Sequence, residues 1–364
     1  MRARASILAA TAAALFTAPL AAQGPSGLPP AKVEAVERLI SAAMSRRGVP
    51  GLSVALALDG EIRYSNGYGL ADLENDVPAK PATLYRLGSI SKTLTATAVM
   101  QLAEREKLDL EAPIQKYVPS FPEKPWPITA RQLLAHLGGI RDYSEGEFAS
   151  THHYSSVTEA LAVFKDDPLV HEPGTRFLYT TYGYTLLGAT VEGASGEGFL
   201  NYLRKNVFDP AGMERTTGDD VFAILRNRAQ GYQRNASGEL SNSALTDTSN
   251  KIPGGGMAGT AEDVARFAIA LQEGVLVKKE TLAKMLSRQA ARGGKPTGYG
   301  LGIFLADRRG VREVWHPGGQ QRVSTVLYMQ PGRRLAVVLL GNLEGVRDPL
   351  LELARQIADL LTTR

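Results

Sequence analysis

Ser89 and Lys92 stand three residues apart in Tyr85-Arg86-Leu87-Gly88-Ser89-Ile90-Ser91-Lys92-Thr93-Leu94. At that spacing two side chains share one face of a helix. A serine hydroxyl is a poor nucleophile at neutral pH. A lysine amine can take its proton only when burial or a nearby cation has pulled its pKa well below about 10.4. The residues that follow, Leu94, Ala96, Ala98, Val99, Met100 and Leu102, are apolar on most sides of a helix. Such a helix is buried, and burial would strip water from Lys92 on its first turn. Gly88 permits a tight turn just before the helix, and a serine at a helix start has its N–H among unpaired amides. Taken alone, Ser-x-x-Lys reads as an N-cap serine and a solvated lysine. The apolar helix behind it favours chemistry.

Two further segments could complete a site. Tyr179-Thr180-Thr181 follows Pro173-Gly174-Thr175 and precedes Tyr182-Gly183-Tyr184. A tyrosine beside a lysine can share a proton, serving as base for acylation and acid for a leaving group. By itself Tyr179 is an ordinary half-buried tyrosine. His316-Pro317-Gly318-Gly319 ends a strand-like run that begins near Glu313. Glycines on a strand allow close backbone approach by a ligand. The N–H groups of Gly319 and Ser89 are candidate oxyanion donors, each typically worth about 3–4 kcal/mol of barrier.

The Ser-x-x-Lys helix start, the Tyr179 segment and the His-x-Gly strand together resemble the motifs of the class C β-lactamase and DD-peptidase superfamily, which includes penicillin-binding enzymes and carboxylesterases. Leu133-Leu134-Ala135-His136-Leu137-Gly138-Gly139-Ile140-Arg141-Asp142-Tyr143 resembles a further loop of that group. Gly254-Gly255-Gly256-Met257-Ala258-Gly259-Thr260 with Asp263 resembles another. Order and spacing match over residues 32–361, and linked motifs carry more weight than single ones. The resemblance implies a β-lactamase/transpeptidase-like fold and a covalent acyl-enzyme without metal or other cofactor. It implies Ser89 as nucleophile, Lys92 and Tyr179 as the proton-handling pair, and His316, Gly318, Gly319 and Thr181 on the substrate and oxyanion side. Three positions depart from the pattern: Thr181 stands where the family usually has asparagine, His316 where class C enzymes have lysine, and Pro317 where threonine or serine is common. A neutral histidine and a proline hold a carboxylate less well than an ammonium and a hydroxyl. The Tyr-Thr-Thr-x-Gly-Tyr form is similar to the mitochondrial β-lactamase-like proteins.

The expected activity is that of an exported serine acyl hydrolase acting on small amides or esters: a β-lactam, a D-amino-acid peptide or a short acyl ester. The alternative is a non-catalytic module on the same fold that binds peptidoglycan fragments or a protein. Two other signatures are weak. Gly254 to Gly259 formally fits Gly-x-Gly-x-x-Gly, but Asn250-Lys251-Ile252-Pro253 precedes it instead of an apolar strand. The chain has no Gly-x-Ser-x-Gly elbow.

The elements that must position these residues are legible in outline. Residues 31–47 show a helical apolar stripe, ended by Gly48 and Pro50. Residues 52–58 and 61–68 are strand-like and joined by Asp59-Gly60, a hairpin signal. Helices are expected over 89–105, 129–136, 157–164, 182–194, 198–207 and 261–273, the last with a Thr260/Asp263 cap. Strands are expected over 300–306, 313–316, 324–329 and 335–340, with Pro331-Gly332 as a turn and a closing helix over 348–361. This predicts an α/β protein in which residues 31–85 and 286–364 form an antiparallel sheet flanked by the terminal helices. Residues 86–285 form an inserted, mostly helical part, with the site in the cleft between the two.

Composition narrows the context. Met1-Arg2-Ala3-Arg4, an apolar run to Leu20 and Ala21-Ala22-Gln23 read as a secretory leader cleaved after Ala22, with residues 23–30 as linker. The run is too short to span a membrane comfortably, so the mature chain is expected to be periplasmic or secreted. Loss of Arg2 and Arg4 would take the formal net charge from +4 to +2, no footprint for nucleic acid. With no cysteine and five histidines, disulfides are excluded and a structural zinc site is not expected. His152-His153 reads as an exposed loop pair.

Overall fold

The structure, a computed structural model, describes residues 27–363. The expected leader and the first half of the expected linker lie outside the described residues. Helix α1 (Pro30–Arg47) starts with proline at its first position and ends at Gly48 in the left-handed region. It leads into β1 (Gly51–Leu58), β2 (Glu61–Asp72) and the short β3 (Val77–Pro78). Asp59 and Gly60 both have positive φ (56° and 82°), as a two-residue type I′ turn requires.

The middle of the chain carries β4 (Tyr85–Arg86), α2 (Ile90–Glu104), α3 (Ala130–Leu134), α4 (Val157–Ala160), α5 (Tyr182–Ser195), α6 (Phe199–Leu203) and α7 (Asp209–Ala211). It continues through β5 (Thr217–Gly218), β6 (Tyr232–Arg234), β7 (Leu240–Asn242), α8 (Ile252–Gly255), β8 (Met257–Gly259), α9 (Ala261–Gln272) and α10 (Lys279–Met285). The chain then returns to β9 (Phe304–Arg308), β10 (Val311–Gln320), β11 (Val323–Gln330), β12 (Leu335–Gly341) and α11 (Arg347–Thr362).

Seven strands form one antiparallel sheet in the order β3-β2-β1-β12-β11-β10-β9. Strand β1 pairs with β12 from Leu52↔Gly341 to Leu58↔Leu335, so segments from opposite ends of the chain meet at the sheet centre. Alternate residues of β1 and β12 serve different cores. Val54, Leu56, Val337 and Leu339 pack with Val36 and Ile40 of α1 and Leu353 and Ile357 of α11. Ala55, Ala57, Val338 and Leu340 face α9 and the helical region. Covering both faces explains why these strands read as continuous apolar runs. Among the described residues no helix is long and apolar enough to cross a membrane.

Three elements differ from expectation. The helix expected over 198–207 ends at Leu203 and gives way to a wider turn over Arg204–Phe208. Pro210 has no N–H to offer the Asn206 carbonyl, and Gln101 Nε2 donates to that oxygen instead (2.8 Å). The strand expected from residue 300 begins only at Phe304. Gly302, at φ +89°, bends the chain toward α2, and its carbonyl accepts from Thr93 Oγ1 (2.9 Å). Strand β10 runs well beyond His316, through Pro317 to Gln320.

Candidate active site

Ser89 sits at the start of α2, and the helix behind it is buried from Ile90 to Leu102. Lys92 is 0 % exposed. Its Nζ donates to Gly254 O (2.6 Å), Ser89 Oγ (3.3 Å) and Thr181 Oγ1 (3.3 Å). Burial is the main cause that lowers its pKa from 10.5 to about 7, assisted by the Lys251 charge and opposed by Asp142. A neutral amine next to a serine hydroxyl is therefore well populated at neutral pH. Helix α8, which contains Gly254, approaches α2 closely, and Thr95 Oγ1 donates to Pro253 O (2.7 Å) beside it.

Tyr179 and Thr181 come from the irregular run that leads into α5 and reach the same place. The Tyr179 ring centroid lies 4.8 Å from Lys92 Nζ. Burial raises the Tyr179 pKa, and a hydrogen bond with Ser89 offsets this in part. The phenol consequently keeps its proton at neutral pH, which makes Lys92 the basic member of the trio. His136 fixes this run: its Nδ1 accepts from Thr180 N (3.1 Å), and its ring lies 4.2 Å from that of Tyr179. Burial holds the His136 pKa well below its ordinary value, so a neutral imidazole supports Tyr179.

Strand β10 closes the site. Strand β9 pairs with it only as far as Trp315, which leaves Pro317 on an unpaired edge that tolerates a missing N–H. The edge presses against the α2 start. A Cβ at Gly318 would lie 2.1 Å from Thr325 Oγ1, 2.4 Å from Leu87 O and 3.2 Å from Ser89 N. Gly88, at φ +55°, would place a Cβ 3.1 Å from Gly319 N. The backbone nitrogens of Ser89 and Gly319 thus lie near each other, and among the described residues no carbonyl accepts from Ser89 N.

His316 is placed differently from the expectation of direct substrate contact. It is 0 % exposed, turns its Nε2 to Tyr299 OH (3.0 Å) and its Nδ1 to Pro317 O (2.9 Å), and does not line the cavity. Its ring packs among Tyr299, Phe304 and Tyr179. Gly318 likewise serves the fit of the strand against α2, and is absent from the cavity wall.

The cavity measures about 630 Å³. Ser89, Tyr179, Thr181 and Gly319 line it, together with Asp142, Gln320, Arg347 and an aromatic wall that includes Phe177, Phe304 and Trp315. Phe304 stacks on both Tyr179 (6.2 Å) and Trp315 (5.8 Å). Sequence reasoning did not single out Asp142, Arg347, His136 or this wall as site residues. Asp142 and His136 stand in the loop already noted for its family likeness, which was the one signal pointing to them.

A model of the family described as Beta-lactamase matches residues 36–362. The human mitochondrial serine beta-lactamase-like protein LACTB is 32% identical over 314 residues, covering 67% of this chain and 57% of the relative. The chain therefore matches little more than half of that relative's length. Protein flp of Staphylococcus aureus (strain MW2) is 26% identical over 326 residues, 87% of this chain and 64% of its own. Among solved structures, the octameric penicillin-binding protein homologue from Pyrococcus abyssi superposes with a TM-score of 0.78 at 28% identity, covering 91% of this chain and 78% of that one.

Proposed function

The chain belongs to the beta-lactamase family of serine hydrolases, and from that premise we propose that it hydrolyses small amides or esters through an acyl-enzyme on Ser89. The observation that carries this reading is the fully buried Lys92 amine, 3.3 Å from Ser89 Oγ and with a pKa near 7. Neutral Lys92 takes the Ser89 proton, directly or through the Tyr179 hydroxyl. Ser89 Oγ attacks the carbonyl carbon, and the oxyanion lies between the N–H groups of Ser89 and Gly319. As the carbon–heteroatom bond breaks, the leaving group receives its proton from Tyr179, which Lys92 replenishes. Water then attacks the ester, giving up its proton along the same route, and frees Ser89. Thr181 orients the Lys92 amine and borders the acyl group.

The substrate lies among β-lactams, D-amino-acid peptides and short acyl esters. The mostly apolar wall suits a hydrophobic group beside the scissile bond. We place the mature protein outside the cytoplasm, on the strength of the leader-like residues 1–22.

The test is covalent labelling. Wild-type protein treated with a fluorophosphonate or a fluorescent penicillin should gain one adduct by intact mass, and Ser89→Ala should gain none. An equal adduct in Ser89→Ala would remove Ser89 from the role.

A further inference from the structure

A second cavity, of about 490 Å³, takes part of its wall from α8. Ile252 lines it, while Gly254 and Gly255 of the same turn line the catalytic cavity. Its size falls within the roughly 300–1,000 Å³ of small-molecule sites. Val157, Phe199, Leu200 and Ile252 give it apolar walls. The loop over residues 219–228 forms its rim, and Ala223 and Leu225 of that loop line it. Beside them Phe222 is 76 % exposed and Ile224 95 %. The Phe222 ring stands edge-on, 5.0 Å from that of His153, which also lines the cavity. This loop is braced. Arg228 Nη2 donates to Asp220 O (2.6 Å) and Ala223 O (3.3 Å), and Asp220 Oδ1 accepts from Phe222 N (2.7 Å). Large apolar side chains held in water beside an apolar hollow mark a surface that a ligand covers.

The charge of the lining has one sign. Glu192, Asp219 and Asp220 line the cavity, and no lysine or arginine among the described residues does. Asp219 is 1 % exposed and gives Oδ2 to Arg86 (2.6 Å). Its Oδ1 has no hydrogen-bond partner among the described residues, and Arg228 Nε stands 3.9 Å from it. Glu192 accepts only from the Phe199 N–H and the Thr158 hydroxyl (3.0 Å each). Among the described residues neither Glu192 nor Asp220 has a cationic partner. His153 is committed to Asp247 (2.8 Å). Two unpaired carboxylates beside apolar walls repel an anion and favour a cation, and the rings of Tyr154 and Phe199 in the same wall add to that preference.

We propose that this second cavity is an effector site for a small apolar cation, such as an alkylammonium, and that α8 carries its occupancy to the catalytic lysine. The alkyl part lies against Leu200, Leu225 and Ile252, and the cationic head sits toward Glu192 and Asp220. The link is short. Ile252 opens α8, Pro253 O accepts from Thr95 Oγ1 (2.7 Å), and Gly254 O accepts from Lys92 Nζ (2.6 Å). A ligand that displaces Ile252 moves the turn that orients the Lys92 amine, which couples the two cavities. Only this effect on rate rests on the serine-hydrolase reading; the binding does not.

Calorimetric titration with octyltrimethylammonium and with octanoate, both below micelle-forming concentrations, tests the ligand class. Wild type should bind one equivalent of the ammonium at least tenfold more tightly than octanoate. The chain as a whole carries a formal net charge of +4, so bulk electrostatics would give the opposite order. A smaller preference overturns the assignment. Asn201 is exposed and lines the cavity, so Asn201→Trp should fill it and weaken ammonium binding at least tenfold. Unchanged affinity in that variant puts the probe elsewhere and overturns the site. The double variant Glu192→Gln with Asp220→Asn keeps oxygens for the same donors and should bring the two probes within threefold of each other. A tenfold preference that persists there overturns the role of the carboxylates. At saturating ammonium, kcat for p-nitrophenyl acetate should change at least twofold in wild type and stay constant in Asn201→Trp. Binding without a change in kcat overturns the effector role. Ser89→Ala tests the hydrolase reading separately: hydrolysis that survives in it removes that reading, while the calorimetric result stands by itself.

Discussion

Lys92 can act as a base because the fold denies it water, and this has a sign that can be measured. Its amine is neutral above about pH 7. The acylation rate with a neutral ester should therefore rise as pH increases through 7 and level off above it. Stopped-flow release of p-nitrophenol across pH 5.5–9 would show the limb, and a flat profile would contradict the assignment. Lys92→Ala should slow acylation by roughly 10²–10⁴, the usual contribution of a positioned acid–base group, with the fold intact by circular dichroism. At this scale the sequence was informative where chemistry is local. Ser89 and Lys92 lie one helical turn apart, and Tyr179 stands two positions before Thr181. The sequence was silent where partners come from distant segments. Nothing near His316 says that Tyr299 claims its ring.

Elements hold the site by close backbone contact and by buried polar anchors. Strand β10 lies against the α2 start because residue 318 has no side chain. Gly318→Ala would force a Cβ within 2.1 Å of Thr325 Oγ1 and 2.4 Å of Leu87 O. Overpacking of this kind costs about 1–3 kcal/mol, and here it would also push Gly319 N away from Ser89. Chemical denaturation and ester kinetics should both register the change, with kcat falling more than KM rises. Strand β4 is anchored by Arg86, whose Nε meets Asp219 Oδ2 at 2.6 Å in a buried pair and whose other nitrogens reach Thr246. Arg86→Ala strands a buried carboxylate and should destabilise the protein by about 3–5 kcal/mol. Arg86→Lys should not rescue it, because an ammonium cannot reproduce the planar fork. The Thr260 cap was legible, but only half of it forms as a box would. Thr260 Oγ1 accepts from Asp263 N (3.1 Å), while the Asp263 carboxylate serves Arg215 N and Thr216 Oγ1. Tertiary demand overrode the local motif.

For the whole molecule, the sheet and its covering helices were legible because period-2 and period-3.6 apolar patterns are strong in β1, β12, α1 and α11. The two-residue strands β3, β4 and β5 were not, since so short a segment has no period and exists only through its partners. Burial of two lysines also sets a global response to pH. Lys92 and Lys251 bind protons near pH 7 when folded and near pH 10.5 when unfolded. Between those values the unfolded chain holds more protons, so stability rises with pH across that window and is lost as pH falls toward 7. The melting temperature should climb from pH 7 to pH 9, and Lys251→Met should remove about half of that slope, since one of two such linked groups is gone. A wild-type melting temperature that stays level across this range would contradict the burial of both amines.

The meeting of β1 with β12 bears on how the polypeptide is made. An emerging ribosomal product must keep the apolar β1–β2 hairpin soluble until almost all of the remaining polymer has been synthesised, because its central neighbour arrives so late. Such long-range closure is slow and leaves sticky edges open to aggregation. Conversely, Lys32 Nζ reaches Leu361 O (3.0 Å), so a short covalent tether between α1 and α11, with new termini opened at an exposed turn such as Gly238, should yield a circular permutant that still assembles.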